Sequence, residues 1–552
     1  MMLKLNFLKL AIYLPVLLPA LLLSCQTPPT GNEDIGKNFM KDVEILSSAE
    51  FEGRAPASPG GTKTINYIRS RFMEAGLKPG NGDSWFQAVP LLETEATDIS
   101  PLTFTGNNFS LSYNYADDMV IGTYRLQDEI VLDKSELVFA GYGIVAPEYN
   151  WNDYDGLDVK GKTVIVLVND PGFGGGDPSL FTGRAMTYYG RWTYKFEEAA
   201  RQGAAAALII HQSEPASYGW EVVRNSWSGP QYNVVVNGNT NRLMAEGWIQ
   251  YPVAEKLFSE AGIDLGQAMA GAARPGFQAI PLKASASVRF KNRFSHKECH
   301  NVLGYIEGKR YPDETVIYMA HWDHLGKSEG KNGTGIYHGA LDNATGVAAL
   351  FAIAEAFKAE KKAPERSVLF IAVTAEESGL LGSKYYAEHP TFPIATTVGG
   401  INIDALNVYG PTRDVISIGH GFSELDAFLE KHAAALGRVI KPDPYPERGS
   451  YYRSDHFNMA RKGVPMIYAK GGNDYVGKDE SFLKMVQEDN ARRYHTPNDV
   501  IHDLWNFDGI QQDLILLYHT GWEIANIPVF PEWMDGSEFR MVRDSTRHLR
   551  RE

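Results

Sequence analysis

His321, Asp342, Glu377, Asp404 and His495 each stand at the edge of an apolar run, and Glu376 sits beside Glu377. Imidazole nitrogens and carboxylate oxygens are donors that a zinc ion accepts from a protein. Two imidazoles and three carboxylates form the set expected for a pair of zinc ions sharing one bridging carboxylate. The carboxylate left over, Glu376, is what a hydrolase needs to take a proton from a metal-activated water. Taken singly, each residue has an ordinary explanation: an Asp or Glu after a strand is usually a helix cap, and a lone His is more often a structural hydrogen-bonding group. Six such residues, all at strand ends or in loops, are much harder to explain as caps.

The elements that must position them follow from periodicity. TVIYMA (315–320) is a short apolar strand ending at His321, and SVLFIAVT (367–374) is a buried strand ending just before Glu376. A third strand covers 398–403 and ends at Asp404; a fourth is GVPMIYA (463–469). Residues 343–360 have helical spacing, with Val347, Leu350, Phe351, Ile353, Ala354 and Phe357 on the buried side. Strands alternating with helices predict an α/β fold with a mixed, largely parallel central sheet flanked by helices. In such sheets ligand sites form at the C-terminal ends of the strands, where three of the candidate ligands fall.

At 552 residues the chain is too long for one core, so two or more domains are expected. Hydrophobic residues at 44% and charged residues at 22% exclude a disordered chain. A formal charge of -14 disfavours nucleic acid, since little here would neutralise a phosphate backbone. The C-terminal arginines 540, 543, 547, 550 and 551 read as a solvated helix end or frayed tail.

Residues 36–80 read as helix, loop, helix around the Gly/Pro-rich segment FEGRAPASPGGT (51–62). Residues 131–290 read as a separate β-rich module, with strands in ELVFAGYGI (136–144) and KTVIVLVND (162–170) and a helix, Gly stop and strand in 194–211. HKECH (296–300) has metal-like spacing, but an isolated cluster with no second pair nearby reads as a structural loop. With Cys299 the only cysteine besides Cys25, no disulfide framework is expected.

At the N-terminus Lys4 and Lys9 precede an apolar stretch from Leu10 to Leu23, too short for a comfortable membrane span. Leu22-Leu23-Ser24-Cys25 resembles a bacterial lipobox, which implies lipidation of Cys25 and a mature protein tethered by residues 26–36. The expectation is an exported bacterial lipoprotein of the cell envelope, at the outer membrane or periplasmic face, whose sole membrane contact is the anchor; in a Gram-negative cell, Gln26 rather than Asp after Cys25 favours the outer membrane. The domain reading is then a signal peptide (1–25), tether (26–36), N-terminal part of the catalytic domain (37–130), inserted module (131–290), catalytic domain (291–530) and C-terminal tail (531–552).

The blocks MAHWDHLG (319–326), GALDNATGVAAL (339–350), VTAEESGLLGSKYYA (373–387), INIDALN (401–407), SDHFNMARKGVP (454–465) and YHTPNDV (494–500) resemble, in order, those of the M28 family of zinc peptidases. The resemblance implies two zinc ions, Asp342 bridging them, His321 and Asp404 completing one site, Glu377 and His495 the other, and Glu376 as general base. It also implies that Asp323 fixes the His321 tautomer, that Tyr494 stands where some relatives place an oxyanion-stabilising phenol, and that the Asp342–Asn343 peptide is cis. Ser454, Asp455 and His456 are candidate pocket-wall residues, and the Gly-rich stretch 327–339 should form a loop at the site entrance. The 131–290 module resembles a protease-associated domain.

The function implied is an aminopeptidase acting on peptide substrates. The alternatives are a carboxypeptidase, dipeptidase or glutaminyl cyclase on the same scaffold, or a non-catalytic binding protein. A carboxypeptidase needs a cation for the substrate carboxylate, and Arg448, Arg453, Arg492 and Arg493 could supply one.

Overall fold

The computed structural model describes residues 35–551, apart from 176, 178, 236–238, 331 and 332. Cys25, the signal segment and nearly all of the tether lie outside the described residues. Two helices come first, α1 (Phe39–Leu46) and α2 (Pro59–Glu74). The Ser58 hydroxyl caps α2 by accepting from the Gly61 amide at 3.0 Å, and Pro59 occupies the first turn, where no amide hydrogen is needed. β1 (Phe86–Thr97) follows.

The module contains β2 (Glu129–Phe139), β3 (Thr163–Leu167), α3 (Trp192–Arg201), β4 (Ala206–His211), β5 (Ala245–Gln250) and α4 (Tyr251–Glu260). Strands β2, β3, β4 and β5 lie parallel in that order. Every residue of TVIVL and AALIIH is buried, as expected of strands covered on both faces. Leu102, Phe104, Met119 and Ile121 pack in this module's core beside Ile130, Ile165 and Ile210. Composition places 102–122 with the first region. The structure draws them into the module because Leu102–Gly106 and Met119–Gly122 pair with strands far along the chain.

β6 (Ile280–Ile306) joins the two halves. Its first part pairs with β2, and from Lys291 to Val302 it runs antiparallel to β1. HKECH therefore lies within a continuous ladder, not a loop. Cys299 is buried and bonded to the Thr374 hydroxyl at 2.9 Å, while His296 and His300 fall on the opposite face of the strand.

The second half adds β7 (Tyr311–His321), α5 (Thr345–Ala359), β8 (Arg366–Val373), β9 (Thr397–Asn402), β10 (Asp414–Ile418), β11 (Met466–Gly471) and α6 (Phe507–Asn526). The sheet order is β1-β6-β8-β7-β9-β11-β10, parallel from β8 to β11 and antiparallel on both flanks. The fold is thus mixed α/β with a large mixed sheet flanked by helices. The segment Ala340–Ala359 is long and apolar enough to cross a membrane, but 83% of that window is buried and packs as the central core helix.

Arg540 and Arg547 stand at a solvated helix end as expected, but Arg543, Arg550 and Arg551 are not a frayed tail. Arg543 is 2% exposed and donates to the carbonyls of Thr397 and Val398 at 2.8 and 3.0 Å, at the start of β9. Arg550 pairs with Glu532 and Arg551 with Glu314, both at 2.8–2.9 Å. These partners lie too far back in the chain for a charge run to reveal them.

Candidate metal centre

Because β7, β8 and β9 are parallel and in register at their ends, the residues that follow them share one rim: His321 pairs with Val373 and Met319 with Asn402. His321 Nδ1 contacts the Asp323 carbonyl at 3.2 Å, which leaves Nε2 facing Asp342 Oδ1 at 3.3 Å and Asp404 Oδ1 at 3.5 Å. His495 Nε2 lies 3.2 Å from the other Asp342 oxygen, Oδ2, and 3.0 Å from Glu377 Oε2. Asp342 therefore presents one oxygen to each imidazole, and each imidazole is shared with one further carboxylate.

Ligands about 2.0–2.1 Å from a tetrahedral zinc ion are about 3.3 Å from one another. The four imidazole–carboxylate separations here span 3.0–3.5 Å. The charge balance agrees. Burial alone would raise Asp342, yet hydrogen bonds from His321 and His495 hold it well below the carboxylate range. Asp404, pushed up by burial and pulled down by His321, settles at about 2. Burial opposes the charging of His321 and His495, yet the surrounding carboxylates raise both, His495 to about 10. Four carboxylates stand with the imidazoles of His321, His324 and His495, and because an imidazole ligates a metal in its neutral form, their negative charge is left for divalent cations to balance. The donor set fits zinc in both sites.

Residues 301–513 match the family model for peptidase family M28. That stretch holds all six of the candidate rim residues. Among curated relatives, mouse aminopeptidase NAALADL1 is 33% identical over 24% of this chain, and aminopeptidase YwaD of Bacillus subtilis is 25% identical over 31%. These matches span only 17% and 33% of those relatives' own length. An aminopeptidase from Aneurinibacillus sp. strain AM-1 aligns with 90% of this chain and 95% of its own at 19% identity, with a TM-score of 0.49.

Each rim residue is held by a partner. Asp404 Oδ2 accepts from the Ser454 hydroxyl at 2.7 Å and the Tyr468 phenol at 3.2 Å, so Oδ1 is the oxygen left for a metal. The Asp342–Asn343 peptide is cis. The Asn343 side chain donates to Ile403 O and accepts from the Ala405 amide, tying this turn to the Asp404 loop. Backbone φ is positive at Ala375, Ala405 and His495, 53°, 67° and 54°, the left-handed region that costs a non-glycine residue about 1 kcal/mol or more. The turn at Ala375 splits the two glutamates. Glu377 turns to His495, while Glu376 lines the cavity, its carboxyl pushed well above the usual range by burial and by the charges of Glu377, Asp455 and Asp404.

Asp323 holds the turn by a different route from the expected one. It is the Asp323 carbonyl that meets the His321 ring, while its carboxylate accepts from the Glu376 and Glu377 amides at 3.1 and 3.4 Å. Tyr494 lines the cavity, 64% exposed, with its ring stacked 3.9 Å from that of His495. Ser454, Asp455 and His456 are not pocket-wall residues. All are at most 1% exposed, because the link from the 3-10 turn Ser450–Tyr452 to the helix His456–Arg461 is packed behind Asp404. Ser454 bonds to Asp404 as described, Asp455 accepts from Ser383 at 2.6 Å, and burial lowers His456 to about 3. The 327–339 stretch is not wholly a loop, since Lys327 pairs with Ile336 in a short antiparallel ladder.

Three residues that hold the site carry no legible role in the sequence. His324 donates from Nδ1 to Glu377 Oε1 at 2.7 Å, leaving Oε2 to His495; its place in MAHWDHLG is the available signal. Asp499 accepts from the Leu341 and Asp342 amides, both at 3.0 Å, just upstream of the bridging carboxylate. Arg54, within the Gly/Pro-rich segment, is fully buried and donates to the carbonyls of Leu46, Trp322, His338 and Gly339. Nothing local marks it, since all but one of those carbonyls lie more than 260 residues away.

Proposed function

We propose that this protein is a di-zinc metalloaminopeptidase that removes N-terminal residues from peptides. The observation that carries this reading is the Asp342 carboxylate, whose two oxygens face two separate imidazole–carboxylate sets while Glu376 stays outside both. His321, Asp342 and Asp404 would hold one zinc ion and His495, Asp342 and Glu377 the other. Zinc held there would supply Lewis acidity, acidifying a water at neutral pH and polarising the scissile carbonyl.

The chain's own residues do the rest. Glu376 accepts the proton of the attacking water on its carboxylate and returns it to the leaving amine. Burial and the neighbouring carboxylates raise its proton affinity, which favours uptake of the water's proton. The Tyr494 phenol, exposed at the cavity mouth beside His495, is placed to donate to the developing oxyanion. Leu406, Tyr409, Tyr475, Leu483 and Val486 give the cavity of about 570 Å³ an apolar wall that suits a hydrophobic side chain. The module restricts access to short peptides and, by its resemblance, is a protease-associated domain. The chain is exported and anchored through lipid on Cys25. Loss of the protein from the membrane fraction on Cys25→Ala tests this; retention there would remove the anchor from the proposal.

The deciding experiment compares aminoacyl chromogenic substrates with their N-blocked counterparts, using zinc-loaded protein and Glu376→Ala. Cleavage of the free-amine substrates alone, abolished by the substitution, is expected. Cleavage of blocked substrates, or of neither, would overturn the aminopeptidase reading.

A further inference from the structure

The cavity beside the metal centre contains an arginine without an acid. Arg453 lines it directly before Ser454, the residue that bonds to Asp404. Its Nε and Nη2 groups are buried and have no hydrogen-bond partner. Among the described residues no acid lies within ion-pair distance of it. By contrast Arg493, on the same cavity, is committed to Asp489 and to the Asn498 carbonyl.

What surrounds Arg453 keeps it free. Its guanidinium sits over the Tyr218 ring, 5.8 Å from the centroid, so the module supplies one face of its environment. Arg191, also from the module, is close enough that burial and then the Arg453 charge bring it down to about 9. Burial likewise lowers Arg453, with only the Tyr218 and Tyr494 phenols opposing the fall and Arg448 adding to it. Burying a guanidinium without a counter-ion is costly, and the planar fork of N–H donors matches a carboxylate better than any other common group.

We infer that Arg453, backed by Tyr218 and Arg191 of the inserted module, receives a carboxylate of the substrate and so sets this peptidase's preference for acidic or short free-acid peptides. This rests on the peptidase reading and adds the substrate class to it. Two sources of the carboxylate are possible: the C-terminus of a dipeptide, or an acidic side chain after the scissile bond. The residue selects substrate and has no part in the proton transfers.

The test measures binding and turnover separately. Calorimetry on zinc-loaded Glu376→Ala protein compares leucyl-glycine with leucyl-glycinamide, and leucyl-aspartate amide with leucyl-asparagine amide. The expected result is about 10- to 100-fold tighter binding of the charged member of one pair, as for a hydrogen bond to a charged group. The first pair identifies a C-terminal carboxylate and the second a side chain. In Arg453→Gln the preference should vanish, and in Arg453→Lys it should persist in part. Equal affinity within both pairs, or a preference unchanged in Arg453→Gln, would overturn the inference. Should that variant not fold, the comparison within the parent protein decides alone. Turnover of leucyl p-nitroanilide by the unsubstituted protein tests the peptidase reading independently. Charge-selective binding without turnover would sink that reading and leave this inference standing.

Discussion

Among the described residues, the buried acids of the module and those of the rim differ in how they are answered. In the module, Asp170 accepts from the amides of Gly172, Phe173 and Thr187 and from the Thr187 hydroxyl, and Asp153 accepts from the Ile144 amide and the Trp151 indole. Lys195, wholly buried, adds a cation and donates to the Asn169 carbonyl at 2.8 Å. Burial pushes Asp153 up and Lys195 down, and each charge resists the other's shift. At the rim, Asp342, Glu376, Glu377 and Asp404 are met by the imidazoles of His321, His324 and His495, and the backbone amides nearby are already committed to Asp323 and Asp499. Burial of charge alone does not make a site. A surplus that the chain's own donors leave unanswered does.

The largest expected effect is on chemistry. Glu376→Gln should lower kcat by about 10²- to 10⁴-fold, the usual contribution of a general base, while zinc content by elemental analysis stays at that of the unsubstituted protein. Loss of both together would make Glu376 a metal ligand and erase its distinction from Glu377.

The module should respond in the opposite sense. Lys195→Met leaves two acids without their cation and should cost about 3–5 kcal/mol in denaturant unfolding, with zinc content unchanged. A variant as stable as the parent would mean that the module's acids are neutral and need no cation.

Ser454→Ala removes the 2.7 Å hydrogen bond that orients Asp404. Zinc affinity, followed by competition with a chromophoric chelator, should weaken about 10- to 100-fold. An unchanged affinity would show that Tyr468 holds Asp404 unaided.

The smallest effect is at Glu538, where the module meets the C-terminal segment and the Tyr188 amide donates to it at 3.3 Å. Burial raises its carboxyl to about 7. The folded protein then holds a proton that the unfolded chain has released, so stability should fall as pH rises from the ordinary glutamate value toward 7. Glu538→Gln should flatten that slope in unfolding curves taken across this interval, and an unaltered slope would assign the raised value to another group.

How much of this was legible depends on where each residue's partners lie. The rim residues are readable because each closes a short apolar strand, and parallel strands bring their ends to one edge whatever the rest of the chain does. The helix 343–360 and the strands at 315–320, 367–374 and 398–403 follow from periodicity for the same reason, since burial on a repeating face is a local property. HKECH shows the limit: its residues look like a loop until β1 is set beside them. Arg543 reads as tail until the β9 carbonyls it bonds to are brought near.

By itself the sequence determined the element types, the α/β class and the residues able to bind metal, because these rest on local periodicity and side-chain chemistry. Tertiary structure alone decided which donors hold each ligand, that Ser454–His456 stand behind the site instead of in it, and that Arg453 faces the cavity without an acid. Those outcomes depend on contacts between residues far apart in the chain, and a hydrogen bond or an unpaired charge exists only once the fold has placed both sides.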